Sequence, residues 1–396
     1  MQAMNLLKNG LVFFAVTAST AMAGAPERSD QGIAVGPGRL NLSAAVEAAQ
    51  DSNIYLSKSA TGSTIIKPGA GIGYIYEARK GMIAIGYNVQ MLFYSRSPEG
   101  NNAVHQTGTF DAGYEFMKDS RFTLTDRFMS TTDQASNELT ARTRRNQNDA
   151  GLDVDVVTGG NWFAGLGAGH VLYQFLDKDL SKELDRTELT VAPRIGTVIG
   201  SKSKGYVKVE MGMMTYDNAK LLRDNLTWHV LAGVNGDISS RITGTAELGV
   251  FMRSYKDSPS VYEDPGMEPS ANVRLTWESP PGIKVSLGLS RDPVEAVWGR
   301  FYVSTTGSLG LSKDIGEKFT VGIMGELGQD AYENIPGSVV PIRKDTIAQA
   351  GANAGYRVIK NVQVRLSDLY RKRSSADYPY FDYADNVVSC GVFAAF

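Results

Sequence analysis

The chain has 396 residues, with 40 Lys and Arg against 42 Asp and Glu and a formal net charge of −2. That balance leaves no electrostatic footprint for nucleic acid. A single cysteine, Cys390, excludes an internal disulfide, and with only three histidines beside it a structural zinc site is not expected.

The first 23 residues have the layout of a cleavable signal peptide. Lys8 supplies the positive region, Leu11 to Ala18 the apolar core, and Ala21-Met22-Ala23 the small-x-small cleavage pattern. This apolar core is too short to span a bilayer, and no later apolar run approaches the ~20 residues of a membrane helix. The mature chain is expected to begin at Gly24. Residues 24–39 read as a short polar periplasmic segment, too small to plug a wide pore.

From Leu40 onward the sequence alternates. Segments of about 10–16 residues repeat with period two, separated by turn residues. In 80–96, Ile83, Ile85, Tyr87, Val89, Met91 and Phe93 share one face. Ala84, Gly86, Asn88, Gln90 and Tyr94 share the other, with Leu92 among them. The same pattern returns in Val207–Met213, Ala271–Trp277, Ile283–Leu289 and Phe319–Leu327. A strand of this kind turns its apolar row to lipid and its polar row to a wet interior.

Two stretches fit less well. Asp126 falls on the apolar face of Phe122, Leu124 and Phe128, for which a bulge or a shifted register is the expected reason. The row Ala348, Ala350, Ala352, Ala354 is only weakly apolar.

Connection lengths alternate as well. Eight tight turns, such as Glu77–Lys80 and Ser279–Gly282, interleave with nine long polar loops, of which Thr131–Asp149 is the longest. The pattern predicts an all-β chain: a transmembrane up-and-down antiparallel barrel of about 18 strands, with 16 as the alternative, over 40–396. Such a barrel has short periplasmic turns and long outer loops. Closing the sheet is what satisfies backbone groups in hydrocarbon. About 18 strands enclose a lumen that side chains alone cannot fill. The expected narrowing element is an inward fold of Thr131–Asp149.

The polar rows give the candidate pore-lining residues: Asn88, Gln90, Asp111, Glu115, Arg194, Lys208, Glu210, Glu247, Arg274, Glu278, Lys284, Arg357 and Arg365. His105, His170 and His229 are also expected on inward faces, as polar wall residues. None sits in a compact Ser/His arrangement, so no catalytic residue and no enzyme activity is expected. Arg142, Arg144 and Arg145 form a basic cluster in the longest loop, either solvated or facing acidic sugars or lipopolysaccharide. Tyr378, Tyr380, Phe381 and Tyr383 read as part of an interfacial aromatic girdle, with sugar stacking as the other reading. The final row Val388, Cys390, Val392, Ala394, Phe396 ends on an aromatic residue. It resembles the C-terminal strand that the outer-membrane assembly machinery recognises, with Phe396 as the signal.

The chain resembles the family of outer-membrane β-barrel porins associated with bacterial exopolysaccharide and capsule export loci. The likeness rests on Asp51-Ser52-Asn53-Ile54-Tyr55, on the tyrosine-rich second and third strands, and on Phe116 to Asp133. Ser52 stands where that family usually has an acidic or polar residue before the asparagine. The resemblance implies an integral pore of the Gram-negative outer membrane, in contact with its lipid and lipopolysaccharide. It also implies polysaccharide as cargo and periplasmic export proteins as partners. The alternatives are a general diffusion porin for small hydrophilic solutes and a surface-binding or structural barrel.

Overall fold

The computed structural model describes residues 32–136, 138, 140, 142–199, 202–218, 222–256, 266–280, 282–297, 300–333 and 342–396. The expected signal peptide lies outside them. Nineteen strands follow in chain order: β1 (Ile33–Val35), β2 (Gly38–Asp51), β3 (Ser63–Glu77), β4 (Gly81–Tyr94), β5 (Ala103–Met117), β6 (Ser120–Thr131), β7 (Arg145–Val157), β8 (Trp162–Phe175), β9 (Arg186–Ile199), β10 (Ser203–Tyr216), β11 (Asn225–Asp237), β12 (Ile242–Tyr255), β13 (Glu268–Ser279), β14 (Ile283–Glu295), β15 (Phe301–Ile315), β16 (Phe319–Tyr332), β17 (Lys344–Ile359), β18 (Val362–Ser375) and β19 (Tyr383–Ala395). Two short helices, α1 (Pro98–Asn101) and α2 (Lys178–Leu184), sit in loops. No described helix is long and apolar enough to cross a membrane.

Each of β2 to β19 pairs antiparallel with its chain neighbours, and β19 pairs with β2 from Val387↔Asp51 to Ala395↔Ser43. The sheet is therefore closed, with 18 strands in the ring. Two backbone bonds complete the seam: Leu42 N donates to Phe396 O at 2.9 Å, and Phe396 N to Leu42 O at 2.8 Å. Closure leaves no edge of unpaired N–H and C=O groups. The extra strand β1 folds back on the start of β2, Ile33 opposite Leu40, through a tight turn at Gly36, whose φ of 58° suits glycine. Regular structure thus begins before Leu40.

Burial is inverted relative to a soluble protein. Ile83 (41%), Ile85 (53%), Met91 (44%) and Phe93 (47%) are exposed on the outer face of β4, whereas Gln90 (8%) and Leu92 (5%) are buried on its inner face. Val207, Leu248, Leu287, Leu309, Ile323 and Leu327 likewise project outward. The weak alanine row is outward too, since Ala352 pairs with Ile323 and Ala354 with Val321. Near the short-turn end, Tyr114, Trp162, Trp277, Phe319 and Tyr356 are exposed on the outside, as an interfacial girdle requires. A 14-residue strand is about 46 Å long at ~3.3 Å per residue. Tilted by ~40° it rises about 35 Å, so strand ends stand clear of the hydrocarbon.

Two expectations are corrected by the register. Asp126 is outward without any local bulge: it pairs with Phe110 and Ala150 in continuous ladders and accepts a bond from Asn148 Nδ2 at 3.0 Å. The irregularity in that hairpin lies instead at Glu115/Met117. His170 is also outward, opposite Ala150 and Leu189, and not on the inner wall. Its strand carries glycine at 165, 167 and 169 on the inward face, so apolar alternation is weak there. The side is decided by Trp162 and Leu166 facing out and by the room Arg194 needs beside Gly165.

Candidate functional site

The lumen divides into two regions along the strands. Toward the short turns the charges of the inner wall pair with one another along the wall. Arg194 bridges Asp153 (2.6 Å) and Asp155 (2.6 Å) on β7, and Lys204 reaches Asp155 at 2.6 Å. A side chain at Gly165 would collide with this bridge, so the glycine lets the arginine lie across β8. Lys208 pairs with Glu247 at 2.9 Å and with Glu210 at 3.3 Å, while Tyr206 donates to Glu247 at 2.7 Å. Glu278 and Lys284 form a looser pair at 3.4 Å with side chains 59% and 48% exposed. Arg357 and Arg274 are exposed on inward faces.

Toward the long loops the lumen is packed. The buried apolar clusters belong here: Ala49, Ile54, Ile65, Leu92 and Tyr94 on one side, and Phe251, Tyr255, Phe301 and Val303 on another. So do the most buried charges, Asp330, Asp345 and Asp385 at 1% and Arg373 at 2%. Three loops supply the filling. Loop 132–144, between β6 and β7, reaches the opposite side of the ring. Its Glu138 side chain is fully buried and pairs with Arg343 at 3.3 Å, before β17. The same carboxylate accepts from the backbone N–H of Val297, at the inward-folded tip of the β14–β15 hairpin. Arg223, in loop 217–224, donates to Ala296 O at that tip, and Arg253 pairs with Glu295 at 3.2 Å.

Arg343 holds the crossing together. It bonds Asp345 at 2.5 Å and its guanidinium stacks 4.3 Å from the Tyr332 ring centre and 3.7 Å from that of Phe381. Burial alone would lower its pKa; the hydrogen bonds it donates to Asp345, with the Tyr332, Asp345 and Glu138 charges, raise it above the ordinary value. Phe381 and Tyr383 therefore face this packed end and do not belong to the outer girdle, while Tyr380 is exposed at 62%. Of the basic loop cluster, Arg145 is buried as the first residue of β7, Arg142 lies 4.5 Å over the Tyr94 ring, and Arg144 is exposed.

Loop 52–62 is pinned by Asn53. Its amide donates to Ser57 O (2.8 Å) and Ala384 O (3.0 Å), and its backbone N–H bonds Asp51 and Asp385. The Asp-Ser-Asn-Ile-Tyr stretch is thus a clasp between β2 and β19, with Ile54 in the apolar cluster and the Tyr55 hydroxyl bonded to Asn101.

The thirteen polar-row candidates all lie on the inward side of their strands by register. Arg194, Lys208, Glu210 and Glu247 are gathered on β9–β12, and Glu278 with Lys284 on β13–β14. Asn88, Gln90, Asp111 and Glu115 are spread over β4–β5. Arg357 bonds Glu317 O at 3.1 Å, and Arg365 lies 4.7 Å from the Phe393 ring centre. Glu138, Arg343, Asp345 and Asp385 were not among them. Asp345 and Asp385 continue the inward parity of their strands and were in principle findable. Glu138 and Arg343 sit in loops, where alternation carries no signal. His105 accepts from Thr132 N at 3.1 Å and so ties the base of the crossing loop. His229 lies between Glu210 and Asp292 on the wall. Among the described residues no cluster suits a metal ion.

Residues 174–396 match the model of the family described as "Putative beta-barrel porin 2". The chain belongs to this family. It is an outer-membrane β-barrel porin, so the short turns are periplasmic and the packed end is the outer mouth. The stretches Asp51–Tyr55 and Phe116–Asp133 that carried the sequence resemblance lie outside the matched residues. No curated protein matches the chain. Among solved structures, OccAB3 of Acinetobacter baumannii is similar at 9% identity and a TM-score of 0.50, over 91% of this chain and 100% of that one. OccK2 (OpdF) of Pseudomonas aeruginosa in complex with glucuronate is similar at 9% identity and a TM-score of 0.50, over 92% and 100%. OprD of the same organism has 9% identity and a TM-score of 0.48, over 92% and 96%. At these identities the likeness is one of fold, and the porin shares with OccAB3 and OccK2 the closed barrel of the outer membrane.

Proposed function

We propose that this porin is a passive diffusion channel for small hydrophilic solutes, filtered at its outer mouth. The observation that carries the reading is the bridge from Glu138 to Arg343, which stands across the mouth. A hydrated lumen with charges of both signs conducts without an energy source, and charged constrictions select by size and field. The polar-row residues Asn88, Gln90, Asp111, Glu115, Arg194, Lys208, Glu210, Glu247, Arg274, Glu278, Lys284, Arg357 and Arg365 are then the lining of the path. Phe396 closes the seam onto Leu42 and is the proposed signal for the assembly machinery.

The polysaccharide-export reading fits less well. A polymer needs one continuous opening, and Glu138 with Arg343 stands across it. That OccK2 was solved in complex with glucuronate supports small solutes as cargo for a barrel of this fold. Planar-bilayer recording of the purified porin tests the reading: a constitutively open conductance of modest size is expected. A channel that stays shut until a polysaccharide or a periplasmic partner is added would return the argument to export.

A further inference from the structure

A cavity opens from the lumen at the outer mouth, between the walls of β2–β5 and β18–β19 and the loops 52–62 and 132–144. Its polar lining includes Asp51, Lys67, Gln90, Asp133, Arg142 and Arg371. Three nitrogen donors on this lining have no acceptor: Gln90 Nε2, Arg142 Nε and Arg371 Nε. Gln90 is 8% exposed, so its amide is cut off from bulk water. Each such donor is costly when left unmade, and folded proteins rarely leave several together. A ligand rich in oxygen acceptors removes that cost.

The charges decide what kind of ligand. Lys67 is already paired with Glu47 at 2.8 Å and Arg371 with Asp385 at 2.6 Å. The carboxylates of Asp51 and Asp133 line the same space, so an anion would meet repulsion as well as donors. Ile65 and Leu92 give the cavity an apolar side. A donor-rich rim, carboxylates that accept hydrogen bonds from hydroxyls, and an apolar side together complement a pyranose, whose hydroxyls both accept and donate and whose C–H face is apolar. We propose that this cavity is a binding subsite for a neutral monosaccharide on its way through the channel. The inference deepens the diffusion-channel reading and rests on it for the route by which sugar arrives.

The test uses the purified full-length porin with D-glucose as probe and D-glucuronate in parallel. Equilibrium dialysis of labelled sugar in detergent reads binding, and bilayer recording reads sugar-induced current interruptions. Glucose is expected to bind and to interrupt the current. Gln90→Ala should weaken binding about tenfold, equivalent to about 1.4 kcal/mol. Arg142→Gln, in a loop outside the barrel wall, should weaken it as well without touching a strand. Lys182→Ala on α2 should leave it unchanged. An open channel that neither binds glucose nor is interrupted by it overturns the subsite and leaves the channel reading standing. Glucose binding that depends on Gln90 in a protein without conductance supports the subsite and overturns the channel. Tighter binding of glucuronate than of glucose, or binding indifferent to both substitutions, overturns the neutral-sugar assignment.

Discussion

The outer mouth and the periplasmic vestibule are built from the same strands and the same residue types, yet their charges are in different states. In the vestibule the ion pairs stay on the wall: Arg194 lies across β8 to Asp153 and Asp155, while Glu278 and Lys284 form an exposed pair at 3.4 Å. Exposed pairs of that kind contribute roughly 0–1 kcal/mol and are screened by salt. In the mouth, Glu138–Arg343–Asp345 is nearly free of solvent contact and ties a loop to the far wall, while Asp385 is buried beside Arg371 on the adjacent strand. Removing one partner of a buried pair costs about 3–5 kcal/mol, because the other charge is stranded. The same lysines, arginines and carboxylates thus decorate one end of the tube and lock the other.

The largest expected effect comes from removing the lock itself. Replacing residues 132–144 by a short glycine-serine linker should leave the ring closed and raise single-channel conductance several-fold. An unchanged conductance would mean that the bridge does not limit flow. Next is Asp385→Ala, which strands Arg371 and frees Asn53 and Ser52, both bonded to that carboxylate. It should lower stability by about 3–5 kcal/mol in urea unfolding of the lipid-inserted barrel. A loss below 1 kcal/mol would place the clasp outside the energetics of the mouth.

A vestibule substitution of intermediate effect is Gly165→Val. Its side chain displaces the Arg194 bridge to Asp153 and Asp155, a strain of about 1–3 kcal/mol. Ion selectivity near the periplasmic end should shift with it, read as a reversal potential across a salt gradient. The smallest expected change is Lys284→Ala, within about 0.5 kcal/mol in stability, since its partner remains hydrated. A large loss there would erase the distinction between the two regions.

Much of this was legible in the residues. Alternation in Lys80–Arg96 gave the outward row of β4 without error, because hydrocarbon on one side and water on the other impose period two on every spanning strand. It failed where both faces are small. Around His170, glycines face in and alanines face out, so only packing against Arg194 and Leu189 fixes the side. It held at Asp126, which is outward as its parity requires; only the expected bulge or shifted register yielded to a continuous ladder with Asn148 as partner. The aromatic residues at 381 and 383 went to the mouth because Arg343 and Arg373 stand there to be stacked on.

The sequence by itself determined a closed antiparallel tube of about 18 strands, its greasy outside, its polar inside and its two unequal ends, because each follows from local periodicity and loop length. Only the tertiary structure decided that the outer end is shut down to a divided mouth. Loop length singled out the loop that turns inward, but Glu138 meets Arg343 across 205 residues and Val297 across 159, and no local pattern encodes those partners. That outcome depends on desolvation and packing inside a lumen that exists only once the ring has closed.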